Sequence, residues 1–195
     1  CSASWMEDQD FWRFSGIHRS VTLTFEPRTH LADIFVHTPL EANYTRARVE
    51  AELTIDRPCG TVRATLLAPD GQVAGEAMLG AQARVNVAFP VDAPQLWSAE
   101  SPALYTLLVT LTDGDGQTAE VSRVMVGIRE FRMIDRVMCL NGRRIVFHGV
   151  NRHEFHWERG RAVPMETLEQ DIRIIKGLNI NAVRTCHYPN DSAFY

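Results

Sequence analysis

The sequence predicts a mainly β protein, in which an antiparallel β-sandwich is followed by one β-α-β unit. Two observations support this fold class. From about residue 26 to about residue 128, apolar and polar residues alternate in short runs, with turn residues between the runs about every ten positions. Further along the chain, a segment of helical periodicity lies between two short apolar runs.

Alternating runs and turn signals define the strands of the predicted sandwich. Pro69-Asp70-Gly71 and Asp113-Gly114-Asp115-Gly116 are turns that end the strands predicted at 61–67 and 104–111. The Cys-Trp-Cys pattern of antibody domains is absent, so core packing alone would hold this sandwich. An earlier run, Val21 to Phe25, also alternates and predicts a strand. The other alternating positions are Ile34, Val36 and Thr38; Val49, Ala51 and Leu53; and Val85, Val87 and Phe89.

The composition excludes several classes of protein. With 45% apolar and 23% charged residues over 195 positions, it is typical of a soluble globular protein. A net charge of −4 without a basic stripe argues against a nucleic-acid partner, and no apolar run is long enough to span a membrane. Four scattered cysteines indicate free thiols, and we therefore expect a reducing, cytoplasmic location.

The β-α-β unit is preceded by two predicted hairpins. Segments 131–135 and 137–140 are expected to pair, and Asn141-Gly142 is a two-residue turn signal. A strand is then predicted from Arg144 to Val150, a helix from about Glu166 to Leu178, and a second strand from Asn181 to Arg184.

Polar side chains are concentrated where each of these two strands is predicted to end. Active sites of parallel α/β proteins lie at the carboxyl ends of the strands. We therefore expect the two polar clusters to meet in one cleft. The first cluster is Asn151, Arg152, His153, Glu154 and His156, and the second is Arg184, Thr185, Cys186, His187, Tyr188, Pro189, Asn190 and Asp191.

Several motifs, in the same order, resemble glycoside hydrolase family 2, and within it the large bacterial β-galactosidases. The resemblance is carried by five segments that together span most of the chain. They are Glu7-Asp8-Gln9-Asp10-Phe11-Trp12-Arg13; Pro94-Gln95-Leu96-Trp97 through to Tyr105; Gly127-Ile128-Arg129-Glu130-Phe131; Gly149-Val150-Asn151-Arg152-His153-Glu154; and Val183-Arg184-Thr185-Cys186-His187-Tyr188-Pro189-Asn190.

The resemblance implies three domains within the chain. Residues 1–25 would be the C-terminal end of a jelly-roll sugar-binding domain, 26–128 an immunoglobulin-like β-sandwich, and 129–195 the incomplete start of a TIM (β/α)8 barrel. The first hairpin would plug the bottom of this barrel. The chain has neither an initiator methionine nor a signal peptide, and 191–195 resembles the start of a second barrel helix, so we expect an internal piece of a longer protein.

The resemblance also implies roles for individual residues. His153 and His187 would contact sugar hydroxyls, and Arg184 would orient the nucleophilic carboxylate of the enzyme. Asp10 would bind a sugar hydroxyl beside a sodium ion, with Glu7 and Asp8 as alternatives if the register is shifted. Without the resemblance, both histidines would be interpreted as structural, Arg184 as part of an ion pair, and the three acidic residues as solvated carboxylates.

The predicted function is that of part of a retaining glycosidase that cleaves terminal β-D-galactosides. Retaining enzymes need two carboxylates about 5 Å apart, and the resemblance places both catalytic glutamates beyond Tyr195. Glu154 is not assigned to either role. The chain alone is therefore expected to be inactive, while the longer protein would be a homo-oligomer that uses magnesium and sodium.

The sequence also allows other interpretations. The chain could be a non-catalytic carbohydrate-binding or assembly module, or part of a β-glucuronidase or β-mannosidase of the same family. A zinc site at His153-Glu154-Phe155-His156 is not expected, because these histidines are three positions apart at a strand end, whereas those of the zincin motif are four apart on a helix.

Overall fold

The computed structural model describes residues 16–195. The described residues divide into two compact units: Thr24–Ile145, and Val146–Tyr195 together with 16–23. No helix among the described residues is long and apolar enough to cross a membrane.

The first unit contains two antiparallel sheets, as the alternation of apolar residues predicts. The strands are β1 (His30–His37), β2 (Arg46–Asp56), β3 (Thr61–Leu67), β4 (Val73–Gly80), β5 (Arg84–Asp92), β6 (Tyr105–Thr112) and β7 (Thr118–Val126). One sheet has the strand order β1-β2-β5 and the other has the order β4-β3-β6-β7. The alternation is clearest in β5, where Val85, Val87, Phe89 and Val91 are buried and the residues between them are exposed.

The core of this unit is made mostly of aliphatic side chains from the strands of both sheets. Its largest fully buried members include Leu53 of β2, Leu66 of β3, and Leu107 and Leu111 of β6. Each is surrounded by other buried apolar residues, so the strands bury one face and expose the other. Cys59 and Cys139 are free thiols, as predicted.

A three-stranded hairpin segment completes the first unit: β8 (Phe131–Ile134), β9 (Val137–Leu140) and β10 (Arg143–Arg144). Asn141 and Gly142 form the predicted two-residue turn, with φ values of 50° and 74°. A Cβ at position 142 would lie 2.7 Å from the Tyr44 ring, so the position excludes side chains for steric as well as backbone reasons.

Polar contacts connect this hairpin to the sandwich, so the compact unit extends past residue 128. Asn141 donates its side-chain amide to the carbonyl of Trp97, and Tyr44 donates its hydroxyl to Glu130. The Glu130 carboxylate that accepts this bond raises the pKa of Tyr44. Trp97 is half-buried beneath the guanidinium of Arg129. That the hairpin plugs a barrel stays a prediction.

The second unit is the predicted β-α-β unit, with parallel strands β11 (Gly149–His153) and β12 (Ala182–Cys186) and helix α1 (Met165–Gly177) between them. The predicted strand from Arg144 to Val150 is wrong, because β11 begins only at Gly149. The side chain of Asn181 accepts a hydrogen bond from the His148 N–H and donates one to the Val146 carbonyl. These bonds replace strand pairing at this position.

Two further secondary-structure predictions need correction. Val21 to Phe25 is not a strand; Val21, Leu23 and Phe25 are 82%, 80% and 87% exposed, so none of the three apolar side chains is buried. At the other end of the chain, the expected helix is a single 3-10 turn, Ser192–Phe194, whose first residues are capped by the Asp191 carboxylate.

The sandwich is predicted to be the self-sufficient fold in this chain. Among the buried apolar side chains of the described residues, only Leu168 and Cys186 belong to the second unit. That unit also has a two-stranded parallel sheet with open edges. Limited proteolysis should therefore leave a resistant core near 26–128, extended by the hairpin towards Ile145. Recovery of 146–195 as the protected piece, with the sandwich digested, would contradict this prediction.

Candidate functional site

Strand alternation sorts the polar residues of β11 and β12 onto two faces. In the parallel ladder, Asn151 pairs with Arg184 and His153 with Cys186, so these four residues share one face. Arg152, between Asn151 and His153, points to the opposite face, where helix α1 lies. The sequence suggested that the whole first polar cluster follows the strand. In the structure, part of this cluster lies within the strand instead.

The two histidines predicted to share a cleft are adjacent. His153 is the last residue of β11, and His187 directly follows β12. Their ring centroids are 5.2 Å apart with the planes at 78°, an edge-to-face arrangement. His153 is half-buried and His187 is exposed. The two rings therefore lie on the same side of the unit, as expected, while the sugar-binding cleft and their role in it stay predictions.

A thiol lies beside the two imidazoles. Cys186 is fully buried, and its Sγ and the ring nitrogens of His153 and His187 lie within 4.8 Å of one another. Arg184 is exposed and donates from one guanidinium nitrogen to Sγ at 3.0 Å. The structure thus places Arg184 on the face that carries His153, and directs its cation towards this sulfur.

Glu154, the residue after His153, is buried and only 3% exposed. Its carboxylate accepts hydrogen bonds from the Asp191 N–H, at 2.9 and 3.0 Å, and from Arg19, at 3.1 Å. A guanidinium nitrogen of Arg152 lies 3.6 Å away, and the Glu154 carbonyl accepts a bond from the Tyr188 hydroxyl. The loop after β12, which begins with His187, is therefore anchored at Tyr188 and Asp191.

Arg152 connects the sheet to the helix. Its side chain is 7% exposed and forms a two-pronged ion pair with Asp171 of α1, at 2.9 and 2.8 Å. Its guanidinium also lies 4.4 Å from the centre of the Phe194 ring. A planar guanidinium suits both contacts. These contacts give Arg152 a structural role.

Asn190 and His156 do not join the histidine pair. Asn190 is 3% exposed, and its side-chain amide has no hydrogen-bond partner among residues 16–195. His156 accepts bonds at Nδ1 from the N–H groups of Glu158 and Arg159, which fixes it within a turn. Asp10, with Glu7 and Asp8, lies outside the described residues.

No role was predicted from the sequence for Cys186, Glu154 or Arg19. A signal for Cys186 was available, because it directly precedes His187 in the second polar cluster. Nothing local indicates Glu154, since its partners lie 135 and 37 positions away in the sequence.

Comparison with known proteins identifies the family. The model of glycosyl hydrolases family 2 matches residues 29–129, and the model of the family 2 TIM barrel domain matches residues 131–195. The chain belongs to glycosyl hydrolase family 2. The predicted mainly β fold, a sandwich followed by the start of a TIM barrel domain, is thereby confirmed.

The relatives within family 2 are named β-galactosidases. This chain is 45% identical to the enzyme of Clostridium acetobutylicum and 44% identical to that of Halalkalibacterium halodurans, with 100% of the chain covered in both cases. It covers 22% and 20% of these two proteins. The chain therefore spans about a fifth of the length of the curated relatives that it matches.

Solved structures of β-glucuronidases share the fold. The β-glucuronidase 3 of Bacteroides uniformis superposes with a TM-score of 0.81 at 24% identity, over 88% of this chain and 22% of that one. A β-glucuronidase from Ruminococcus gnavus, solved with D-glucuronic acid, gives a TM-score of 0.74 at 27% identity, over 87% and 28% of the two chains. Because the Bacteroides uniformis protein is only 24% identical to this chain, its similarity shows a shared fold and nothing further.

Proposed function

We propose that this chain is part of a retaining glycoside hydrolase that cleaves terminal β-D-galactosides, and that it supplies residues that position the sugar. The observation that carries the proposal is the edge-to-face pair of His153 and His187 at the carboxyl ends of two parallel strands. The relatives named β-galactosidase support the choice of sugar.

The chemistry of the pair suits a sugar. A neutral imidazole has one donor and one acceptor nitrogen, and a sugar hydroxyl both donates and accepts. Two adjacent rings could therefore hold neighbouring hydroxyl groups in a fixed orientation. Arg184, on the face that carries His153, is proposed to orient and keep ionised the nucleophilic carboxylate of the complete site. Asp10 is proposed as a further sugar contact and sodium ligand.

The acid and the nucleophile are proposed to come from parts of the protein outside this chain. Glu154 is the carboxylate next to the histidines in the sequence, but its two oxygens already bind Asp191 N–H, Arg19 and Arg152 in a buried position. A group held in this way has no oxygen available to attack a sugar or to protonate a leaving group. None of the described residues is proposed as a magnesium ligand; the longer protein is proposed to be a cytoplasmic homo-oligomer that holds magnesium elsewhere.

A β-glucuronidase is the second candidate, because the solved structures that share the fold include β-glucuronidases at up to 27% identity. The experiment compares a chromogenic β-galactoside with the corresponding β-glucuronide on the full-length protein. We expect a higher kcat/KM for the galactoside, and NMR should detect the β-anomer of the product first, since the mechanism retains configuration.

The same assay on the 195-residue chain provides the matched comparison. We expect no turnover, because both steps of a retaining mechanism need carboxylates that this chain does not supply. Robust hydrolysis by the chain alone would contradict the proposal. Preference for the glucuronide would favour the second candidate, and an inactive full-length protein that still binds galactose would indicate a non-catalytic module.

A further inference from the structure

His153, Cys186 and His187 form a cluster that combines two imidazoles with a thiol. The ladder places His153 opposite Cys186, and His187 is the next residue along the chain. Their three ligand atoms all lie within 4.8 Å of one another. Among residues 16–195, no other group of three or more His, Cys, Asp or Glu side chains is close enough to hold a common ion. The group is buried at Cys186 and exposed at His187, so an ion could enter from the exposed side.

We propose that these three side chains form a binding site for a divalent ion of the zinc class. Thiolate and neutral imidazole are the ligands that Zn²⁺ prefers, and three protein ligands leave a fourth position open to water. Bond lengths of about 2.0–2.3 Å bring the ligand atoms to roughly 3–4 Å from one another, so the present spacing must shorten by roughly 1 Å. Rotation of the exposed His187 ring can supply much of that movement.

The proton balance follows from the ligand set. The Cys186 thiol becomes a thiolate when it forms the sulfur–metal bond, and its proton passes to the solvent. Both imidazoles contribute a lone pair in their neutral forms, so about one proton is released for each ion bound. No electron is transferred, and no oxidant or reductant is needed.

Arg184 opposes this binding in a way that can be measured. Its guanidinium donates to the Cys186 sulfur at 3.0 Å, so a cation already lies where the metal would approach. Because Arg184 is exposed, its side chain can move away, but the remaining positive charge repels a divalent ion. Removing this charge should therefore tighten metal binding, whereas it would leave the affinity unchanged at a site in which Arg184 has no part.

The inference does not depend on the proposed enzymatic function. If that function also holds, a bound ion would occupy the nitrogens that are proposed to contact the sugar, and zinc and galactoside would exclude each other. The experiment below measures the ion alone, so that failure of sugar binding and failure of metal binding give different results.

The test uses Co²⁺ as a spectroscopic probe on the 195-residue chain, followed by displacement with Zn²⁺. The background carries Cys1→Ser and Cys59→Ser, which removes the N-terminal thiol and the exposed thiol of the sandwich. We expect a near-ultraviolet sulfur-to-cobalt charge-transfer band that saturates at one ion per chain and disappears on addition of Zn²⁺. Cys186→Ser should abolish the band, and Cys186→Ala provides a second variant if the serine disturbs folding.

Histidine variants complete the design. His187→Ala and His153→Ala should each weaken Co²⁺ binding by at least the roughly 10–100-fold that loss of an outer-shell partner costs. His148→Ala, in the same unit but before β11, should leave the affinity unchanged, and Arg184→Gln should increase it. A band that survives in Cys186→Ser, unchanged affinity in His187→Ala, or equal or weaker binding by Arg184→Gln would overturn the proposal.

Discussion

Replacing His187 by alanine in the full-length protein is expected to lower kcat/KM for β-galactosides by about a hundredfold or more. The imidazole is proposed to form a hydrogen bond with a sugar hydroxyl. This bond strengthens in the transition state, as positive charge develops on the sugar ring. Removal of the imidazole leaves the hydroxyl without a partner, which costs about 1–3 kcal/mol. The extra strength of the bond in the transition state is lost as well, and this loss raises the barrier further. Steady-state kinetics with a chromogenic galactoside measure the effect.

A matched control separates this role from a general disturbance of the fold. His148 is exposed and precedes β11, so it lies at the opposite end of the strand from His153. His148→Ala should retain nearly full activity. Melting temperatures of both variants should match that of the parent protein, since His187 is also exposed. Full activity of the His187→Ala variant would contradict the assignment of this residue to the sugar site.

The sandwich was predictable because its signal is local. Alternation in β2, β5 and β6 assigns residues to the buried face without knowledge of partner strands, and the Asn141-Gly142 turn depends only on two residues that tolerate positive φ. Alternation at Val21 to Phe25 gave a strand that does not form. An alternating run needs a neighbouring strand and a surface that buries its apolar face, and neither is a property of the run itself.

The site was predictable only in part. The prediction that His153 and His187 lie together required only the β-α-β topology. This topology places the carboxyl ends of both parallel strands at the same edge of the sheet. The role of Arg152 depended on the strand boundary, because a shift of one residue moves a side chain to the other face. Asn181 sets that boundary through bonds to Val146 and His148, more than thirty positions away in the sequence. Contacts of this kind leave no local pattern.

Glu154 connects the buried part of the site to its exposed part. Its carboxylate is contacted by Arg19, by Arg152 and by the Asp191 N–H. Arg152 in turn binds Asp171, so helix α1 and the His187 loop depend on the same buried charges. A buried ion pair adds little net stability when both partners are present, but removal of one partner leaves the other charge uncompensated.

Glu154→Gln is accordingly expected to destabilise the second unit by about 3–5 kcal/mol, although it changes the volume of the side chain very little. The amide carries no charge to balance Arg152, and one of its atoms is a donor where both carboxylate oxygens now accept. Hydrogen exchange of the amides of β11 and β12 should accelerate by roughly a hundredfold or more, since each 1.4 kcal/mol changes an opening equilibrium by about tenfold.

The matched control for this variant is Glu169→Gln on the exposed face of α1. Glu169 pairs with Arg173 at 3.1 Å, but both side chains are more than half exposed, at 58% and 79%. Solvent screens such a pair, so its loss should cost only about 0.3–0.5 kcal/mol and leave exchange in β11 and β12 nearly unchanged. Equal exchange rates in the two variants would show that Glu154 contributes no more to the free energy of unfolding than a surface carboxylate does. The His187 loop would then be held by its backbone and by Tyr188 instead.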